Sequence, residues 1–379
     1  MSADSPALWL GLAGLLLIAI GVWAWRRRAP APARVNRRRG ERRRTGRDGA
    51  SHPTRFASTQ ADSVQDTVLD SRSPDPVRRI GRYVIERDIG RGAMGMVLLA
   101  RDERSGEAVA LKTMALGREF HGEALDEARE RFFREAETAG RLQHPDIVAI
   151  RDTGEQEGTA YIAMELLSGR DLSIDAQPAR LLPVAVVVAI GARVARALAY
   201  AHRQGVTHRD IKPANIMVEP ASGMVKVTDF GIARIIDSTQ TRTGLVLGTP
   251  SFMSPEQMAG ASTDGRSDLY ALGVTLFQLL TGSLPHRADS MAALLHSIGN
   301  DRAPDVRTLR PELPQALADI VALALEKRPE VRYADGDAMA ADLAAALALL
   351  EDETAQAEAT RSRPPPADSQ AAQNAASPP

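Results

Sequence analysis

Cysteine is absent from the 379 residues. That excludes a disulfide framework, a thiolate metal site and a cysteine nucleophile, and it fits a reducing compartment. Net charge is nearly absent too, at −1, while charged residues at 25% and hydrophobic residues at 44% are ordinary for a globular protein. The balance hides an asymmetry. Residues 26–47 hold eleven Arg against the single acid Glu41, so this block carries +10 and the rest of the chain −11. The length exceeds what one hydrophobic core usually serves, and two lobes or domains with extensions are expected.

The run from Ala7 to Trp25 has nineteen residues without a charge. As a helix it spans about 28 Å, the thickness of a bilayer's hydrocarbon core. Trp9, Trp23 and Trp25 sit at its two ends, where indoles prefer the interface. The six residues before it contain no Lys or Arg, and it ends in Trp and Arg rather than a small-residue cleavage site, which disfavours a signal peptide. A buried core helix is the other alternative. The reading is a transmembrane helix over 7–25. With Arg26, Arg27 and Arg28 abutting it, the positive-inside bias leaves 1–6 outside and the main body in the cytoplasm, held at the cell membrane by a single pass. A second apolar stretch, Leu181 to Ala201, is interrupted by Arg193 and Arg196 and is expected to be a buried helix.

Residues 26–80 lack helical or strand periodicity and read as a basic, disordered juxtamembrane linker. Beside a membrane span, its Arg block suits anionic lipid headgroups better than nucleic acid, which is not expected as a partner. Thr59 and Thr67 are followed three residues later by Asp62 and Asp70, a spacing that resembles the phosphothreonine motif read by forkhead-associated domains. Residues 351–379 are rich in Ala, Gln, Ser and Pro and read as a disordered tail.

The chemistry gathers between His208 and Gly231, HRDIKPANIMVEPASGMVKVTDFG. The apolar run Ile216, Met217, Val218 and the alternating Val225, Val227 predict two short strands joined by a Gly turn. That hairpin brings Asn215 near Asp229, and an amide oxygen beside a carboxylate suits a hard cation such as Mg²⁺. HRDIKPAN followed by DFG resembles the catalytic and magnesium loops of protein kinases. The resemblance implies that Asn215 and Asp229 hold the metal, that Asp210 accepts the proton of an attacking hydroxyl, and that Lys212 neutralises charge on the moving phosphoryl. Lys212, two residues past Asp210, matches the serine/threonine-specific version.

The rest of the chain supplies the family's other parts in order. From Tyr83, Gly90, Gly92, Gly95 and Val97 form G-x-G-x-x-G-x-V, in which glycines let backbone approach phosphates. A dinucleotide fold would open a helix there, whereas here strand-like residues continue to a Ser105-Gly106 turn and a second strand ending at Lys112. A lysine at the end of an apolar strand is costly unless paired, so it should meet a phosphate and a carboxylate. The carboxylate is expected from a helix over Glu123 to Leu142. Glu135 occupies the family's position, with Glu137 as local competitor, and Phe132, Ala136 and Ala139 mark the packed side.

Ala160 to Gly169 resembles the last small-lobe strand and the hinge. The resemblance implies that adenine bonds the backbone of Glu165 and Leu167, that Met164 lines the pocket, and that Val97, Ala110 and Met217 sandwich the purine; each of these three could equally be plain core. After Asp229, a polar loop with Thr239 and Thr241 ends at Gly248-Thr249-Pro250 and Ser254-Pro255-Glu256, which resembles an activation segment. Thr239 and Thr241 are the candidate phosphosites, with Arg209 available to pair with the phosphate. Asp268 should cap its helix or hold the catalytic-loop backbone, and Arg332 should pair with Glu256. Met339, Leu343, Leu347 and Leu350 mark a closing amphipathic helix.

The expected fold is α+β: a bilobal protein kinase with a β-rich N-lobe over 81–167 and a helical C-lobe over 168–350. The expected function is that of a membrane-anchored serine/threonine protein kinase of the eukaryotic-like (Hanks-type) kind found in bacteria. It would use ATP with Mg²⁺, Mn²⁺ being the alternative ion, on Ser/Thr of proteins and on its own activation loop, where a homodimer would serve trans-autophosphorylation. Leu98 departs from the family, in which an aromatic is common. Two rivals remain, a pseudokinase scaffold and a small-molecule kinase; intact Lys112, Asp210, Asn215 and Asp229 disfavour the first, and the Gly248–Glu256 segment disfavours the second.

Overall fold

The structure, a computed structural model, describes residues 78–92, 95–230 and 250–361. The apolar run 7–25, the linker with Thr59 and Thr67, and the loop residues Thr239, Thr241 and Thr249 lie outside them.

A sheet whose central strands are buried on both faces builds the first lobe. Strands β1 (Arg79–Ile80), β2 (Tyr83–Gly92), β3 (Gly95–Asp102), β4 (Ala108–Met114), β5 (Ile150–Gln156) and β6 (Thr159–Glu165) form one antiparallel sheet in the order β1-β2-β3-β4-β6-β5. Successive residues point to opposite faces of a strand, so Leu111, Tyr161 and Ala163 join Tyr83, Leu98 and Ala100 on one face. Ala110, Ile162 and Met164 fall on the other, against Phe132 and Ala136. Leu98 is buried at 2% exposure. An aliphatic side chain fills the site where an aromatic is common, so that departure is one of packing. β1 falls within the stretch read as linker; its pairing with Tyr83 and Val84 makes Arg79 the start of the sheet.

Two helices follow β4: α1 (Leu116–Glu119) and α2 (Glu123–Gly140). Ala128, Phe132, Ala136 and Ala139 are the buried residues of α2, the stripe expected at helical spacing.

The second lobe is helical: α3 (Val184–Arg203), α4 (Pro255–Met258), α5 (Gly265–Thr281), α6 (Met291–Asn300), α7 (Gln315–Ala324) and α8 (Gly336–Arg361). Among the described residues, α3 alone is long and apolar enough to cross a membrane. It is instead the lobe's core, with Val187, Val188, Val194, Ala195 and Leu198 buried in one cluster with Leu276 of α5 and Leu343 of α8. Its Arg193 reaches out to the Asp146 carboxylate and to Gly223 O. At the start of α8 a Cβ on Gly336 would lie 2.3 Å from Ala195 O, so the close approach of α8 to α3 needs glycine there.

The expectation of disorder from residue 351 is corrected for its first part. α8 continues past Glu351 to Arg361, because Ala, Glu and Gln are strong helix formers and the first proline, Pro364, comes only afterwards.

A small sheet of β7 (Arg170–Asp171), β8 (Ile216–Glu219) and β9 (Met224–Val227) completes the lobe. β9 also contacts the segment after α2, through Val227 N–H to Asp146 O (2.9 Å) and Val148 N–H to Val227 O (3.0 Å).

Candidate active site

The β8–β9 hairpin pairs Ile216 with Val227, which sets the flanking residues side by side. Thr228 N–H donates to Asn215 O at 2.9 Å, and Asp229 follows directly. Asn215 Nδ2 donates to the backbone O of Asp210 at 2.7 Å and to its Oδ2 at 3.0 Å, and Lys212 Nζ donates to the same Oδ2 at 2.7 Å. Asp210, Lys212 and Asn215 thus form one cluster. Asp210 is held through one carboxylate oxygen, and among the described residues its Oδ1 carries no hydrogen bond.

Across from it stands Lys112, on β4 between Val97 of β3 and Ile162 of β6. Its Nζ lies 2.7 Å from Asp229 Oδ1, with the two side chains 16% and 29% exposed. A half-buried ammonium is thereby satisfied by a carboxylate of the opposite lobe. Lys112 and Glu135, by contrast, are not within ion-pair distance. Glu137, the competitor, pairs with Arg141 one turn on at the surface, 2.7 Å. Glu135 is half-buried beside Ala136 on the inward side of α2 and has an interaction of its own.

Two residues of this site hold strained backbone. Arg209 (φ 69°) and Asp229 (φ 67°) lie in the left-handed region, which non-glycine residues seldom enter unless their surroundings over-determine it. Those surroundings are visible at Arg209. The buried Asp268 carboxylate accepts the N–H of His208 at 2.7 Å, the N–H of Arg209 at 2.6 Å and a bond to His202 Nε2 at 2.8 Å. Burial pushes the Asp268 carboxyl up, and the bonds from His202 and the His208 N–H outweigh it, leaving its pKa below the ordinary value. The cap of α5 is Asp264 instead, so of the two roles open to Asp268 the loop-holding one is realised. His208 is fully buried; its Nδ1 accepts Asp210 N–H at 3.2 Å, which leaves Nε2 to donate to Thr228 O at 2.8 Å.

Ser254 caps the short helix α4 in a reciprocal box with Gln257, whose Nε2 donates to Arg209 O at 3.1 Å. Glu256 meets Arg332 in a two-pronged pair at 2.7 and 2.8 Å, with Ser267 Oγ adding a bond at 2.7 Å. Burial raises the Glu256 carboxyl, but the Arg332 and Ser267 bonds prevail and hold it low. The expected Arg332–Glu256 pair is therefore present and buried.

Val97, Ala110, Met164 and Leu167 share one apolar cluster under the glycine-rich strands, and Met217 is half-buried on β8. Gly90 pairs with Val97 and Gly92 with Gly95. Gly95 (φ 147°) runs so close to β4 that a Cβ would lie 1.8 Å from Thr113 O. At the end of β6, Glu165 Oε1 accepts Ala149 N–H at 2.7 Å and Lys226 Nζ at 2.6 Å, tying the hinge strand to β9.

The first lobe contributes Lys112 and the second contributes Asp229 and the Asp210–Lys212–Asn215 cluster, and the model of the protein kinase domain matches residues 83–343. This chain belongs to the protein kinase family. Its relatives include the serine/threonine-protein kinase pkn3 of Myxococcus xanthus, 41% identical over 72% of this chain and 52% of that one. PknJ of Mycobacterium tuberculosis is 42% identical over 70% and 45%. The chain thus spans about half the length of these curated relatives. The crystal structure of the Mycobacterium tuberculosis PknI kinase domain superposes with a TM-score of 0.58 at 32% identity, covering 71% of this chain and 98% of that one. The branch is the eukaryotic-like bacterial one.

The kinase family implies ATP and a divalent cation, and the donor set fits a hard ion. Asn215 bonds Asp210 through its amide nitrogen, which leaves the amide oxygen facing other partners, and Asp229 engages Lys112 through one oxygen. Among the described residues no three His, Cys, Asp or Glu gather as a metal site. Sequence reasoning missed Lys226, Gln257 and His202. Each is a common polar residue with no periodic signal, and each meets its partner far along the chain.

Proposed function

We propose that the chain is an ATP-dependent serine/threonine protein kinase that transfers the γ-phosphoryl of ATP to protein hydroxyls while held at a membrane by residues 7–25. The observation that carries the reading is the 2.7 Å Lys112–Asp229 contact facing the Asp210–Lys212–Asn215 cluster. Lys212 and Asn215 fix Asp210 Oδ2 and orient Oδ1 as the acceptor for the hydroxyl proton of an incoming Ser or Thr. Lys212 also offsets charge on the transferring phosphoryl. Asn215 and Asp229 would hold Mg²⁺, which would supply positive charge to neutralise the phosphates. Lys112 exchanges Asp229 for a phosphate oxygen, with Glu135 as its carboxylate partner in the loaded state. Gly90, Gly92 and Gly95 cover the phosphates, Val97, Ala110 and Met217 flank the purine, and Met164, Glu165 and Leu167 form its edge contact.

The Arg block 26–47 binds anionic headgroups, Thr239 and Thr241 are autophosphorylated and pair with Arg209, and Thr59 and Thr67 offer phosphothreonine to forkhead-associated domains. Incubation with labelled ATP, Mg²⁺ and a mixed protein substrate tests the core claim. Label should enter protein Ser and Thr, and Asp210→Asn should abolish it while nucleotide binding persists. Turnover retained in that variant, or label confined to small molecules, would refute the assignment.

A further inference from the structure

The peptide joining Arg209 to Asp210 is gripped at both of its polar atoms. Its N–H donates to His208 Nδ1 at 3.2 Å, and its carbonyl accepts from Gln257 Nε2 at 3.1 Å. Arg209 cannot relax into this arrangement by itself, because its φ of 69° is a costly one for a residue with a Cβ. The carbonyl grip comes from a residue outside every motif that names the site. The Gln257 amide has only one orientation that satisfies its surroundings: Oε1 accepts both Ser254 N–H (2.9 Å) and Ser254 Oγ–H (3.0 Å), so Nε2 must face Arg209 O. Ser254 is fully buried and precedes Glu256, which Arg332 locks into the core of the large lobe.

We propose that Gln257 is a positioning residue for Asp210. Through the Arg209 carbonyl it sets the plane of the peptide from which the Asp210 side chain projects, and so couples the anchored Ser254–Glu256 end of the loop to the aim of Oδ1. The inference rests on the reading of Asp210 as the proton acceptor. It adds that this aim depends on a neutral amide donor 47 residues further on, at Gln257. A rotation of the peptide plane displaces a side-chain carboxylate by an ångström or more, and misplacement of that size costs roughly ten- to hundredfold in rate.

Two substitutions separate positioning from support of the fold. Gln257→Glu keeps both acceptor contacts to Ser254, and with them the helix cap, but sets a carboxylate oxygen against Arg209 O. Gln257→Met removes the donor without adding charge. Steady-state kinetics with ATP and a protein substrate, run beside thermal unfolding, should give kcat lower by roughly ten- to hundredfold in both variants. KM for ATP should stay within about twofold, and the Gln257→Glu midpoint should stay close to that of the parent protein. The inference fails if either variant retains kcat within about twofold, or if kcat in Gln257→Glu falls only in step with KM and the unfolding midpoint. A fall in Gln257→Glu alone would also overturn it, by tracing the effect to the new charge. Asp210→Asn assayed in parallel keeps the two claims apart: turnover in that variant sinks the proton-acceptor reading itself, whereas full activity in the Gln257 variants sinks only this inference.

Discussion

His286 offers a titration that the structure isolates well. The residue is buried at 4% exposure between α6 and the segment after α7. Lys327 Nζ donates to its Nε2 at 3.0 Å and to Ile298 O at 2.8 Å, so Nδ1 carries the proton and bonds Ser297 Oγ at 2.9 Å. Burial first, and the Lys327 charge second, push the imidazole from 6.5 down to about 4, against a raising pull from Asp301. Above its unfolded value the ring is neutral in both states. As the pH falls from there toward about 4, the unfolded chain takes the proton and the folded one resists it, so stability is lost across that window and levels off below it. At about 1.4 kcal/mol per pH unit, the loss is about 3 kcal/mol in all and about 2 kcal/mol by pH 5. His286→Phe fills the site without a titrating ring and should lack that component. Urea unfolding followed by far-ultraviolet circular dichroism near pH 7.5 and pH 5 measures it; tryptophan emission is not the probe of choice, since residues 83–343, which the kinase-domain model matches, contain no Trp. If the parent and variant lose stability in parallel to within about 0.5 kcal/mol, the burial argument is wrong.

Lys327, lowered by burial to about 8, should show an effect of the same sign in a higher window: stability rises as pH climbs from that value toward 10.5, and Lys327→Met should flatten the rise in the same unfolding assay. Arg332→Leu leaves the Glu256 carboxylate buried without its cation and should cost about 3–5 kcal/mol by thermal unfolding, with Glu256→Gln added in the same chain recovering part of the loss. Gly95→Ala should weaken nucleotide binding and lower the unfolding midpoint, whereas Gly90→Ala should bind nucleotide nearly normally, because a Cβ there meets Val97 at an ordinary 3.6 Å; isothermal titration distinguishes the two. Asp268→Asn exchanges a charged acceptor of three bonds for a neutral one and should destabilise by about 1.5–3 kcal/mol while lowering kcat more than the KM for ATP.

Much of the site could be read because its parts are local. Asp210, Lys212, Asn215 and Asp229 are brought together by one hairpin, and a hairpin announces itself in alternating apolar residues around a glycine turn. The buried stripe of α2 was equally open to a period of 3.6. Other choices turned on contacts that leave no local mark. Whether Asp268 caps its own helix or serves the loop some sixty residues earlier depends on where α5 docks, and Asp264 took the cap. Composition misjudged the end of α8, since Ala, Glu and Gln in a tail suit helix as readily as disorder.

By itself, then, the order of residue types determined the family, the two-lobed plan and which polar side chains would gather at the β8–β9 hairpin, because motifs of this kind are short and strands and helices encode their buried faces in periodicity. Only the tertiary structure decided which carboxylate meets Lys112, that Lys226 ties the hinge to β9, and that Gln257 grips the peptide before Asp210. The reason is physical: a charge or an amide is satisfied by whatever partner the packing of distant elements brings within about 3 Å, and that distance is written in no single segment of the chain.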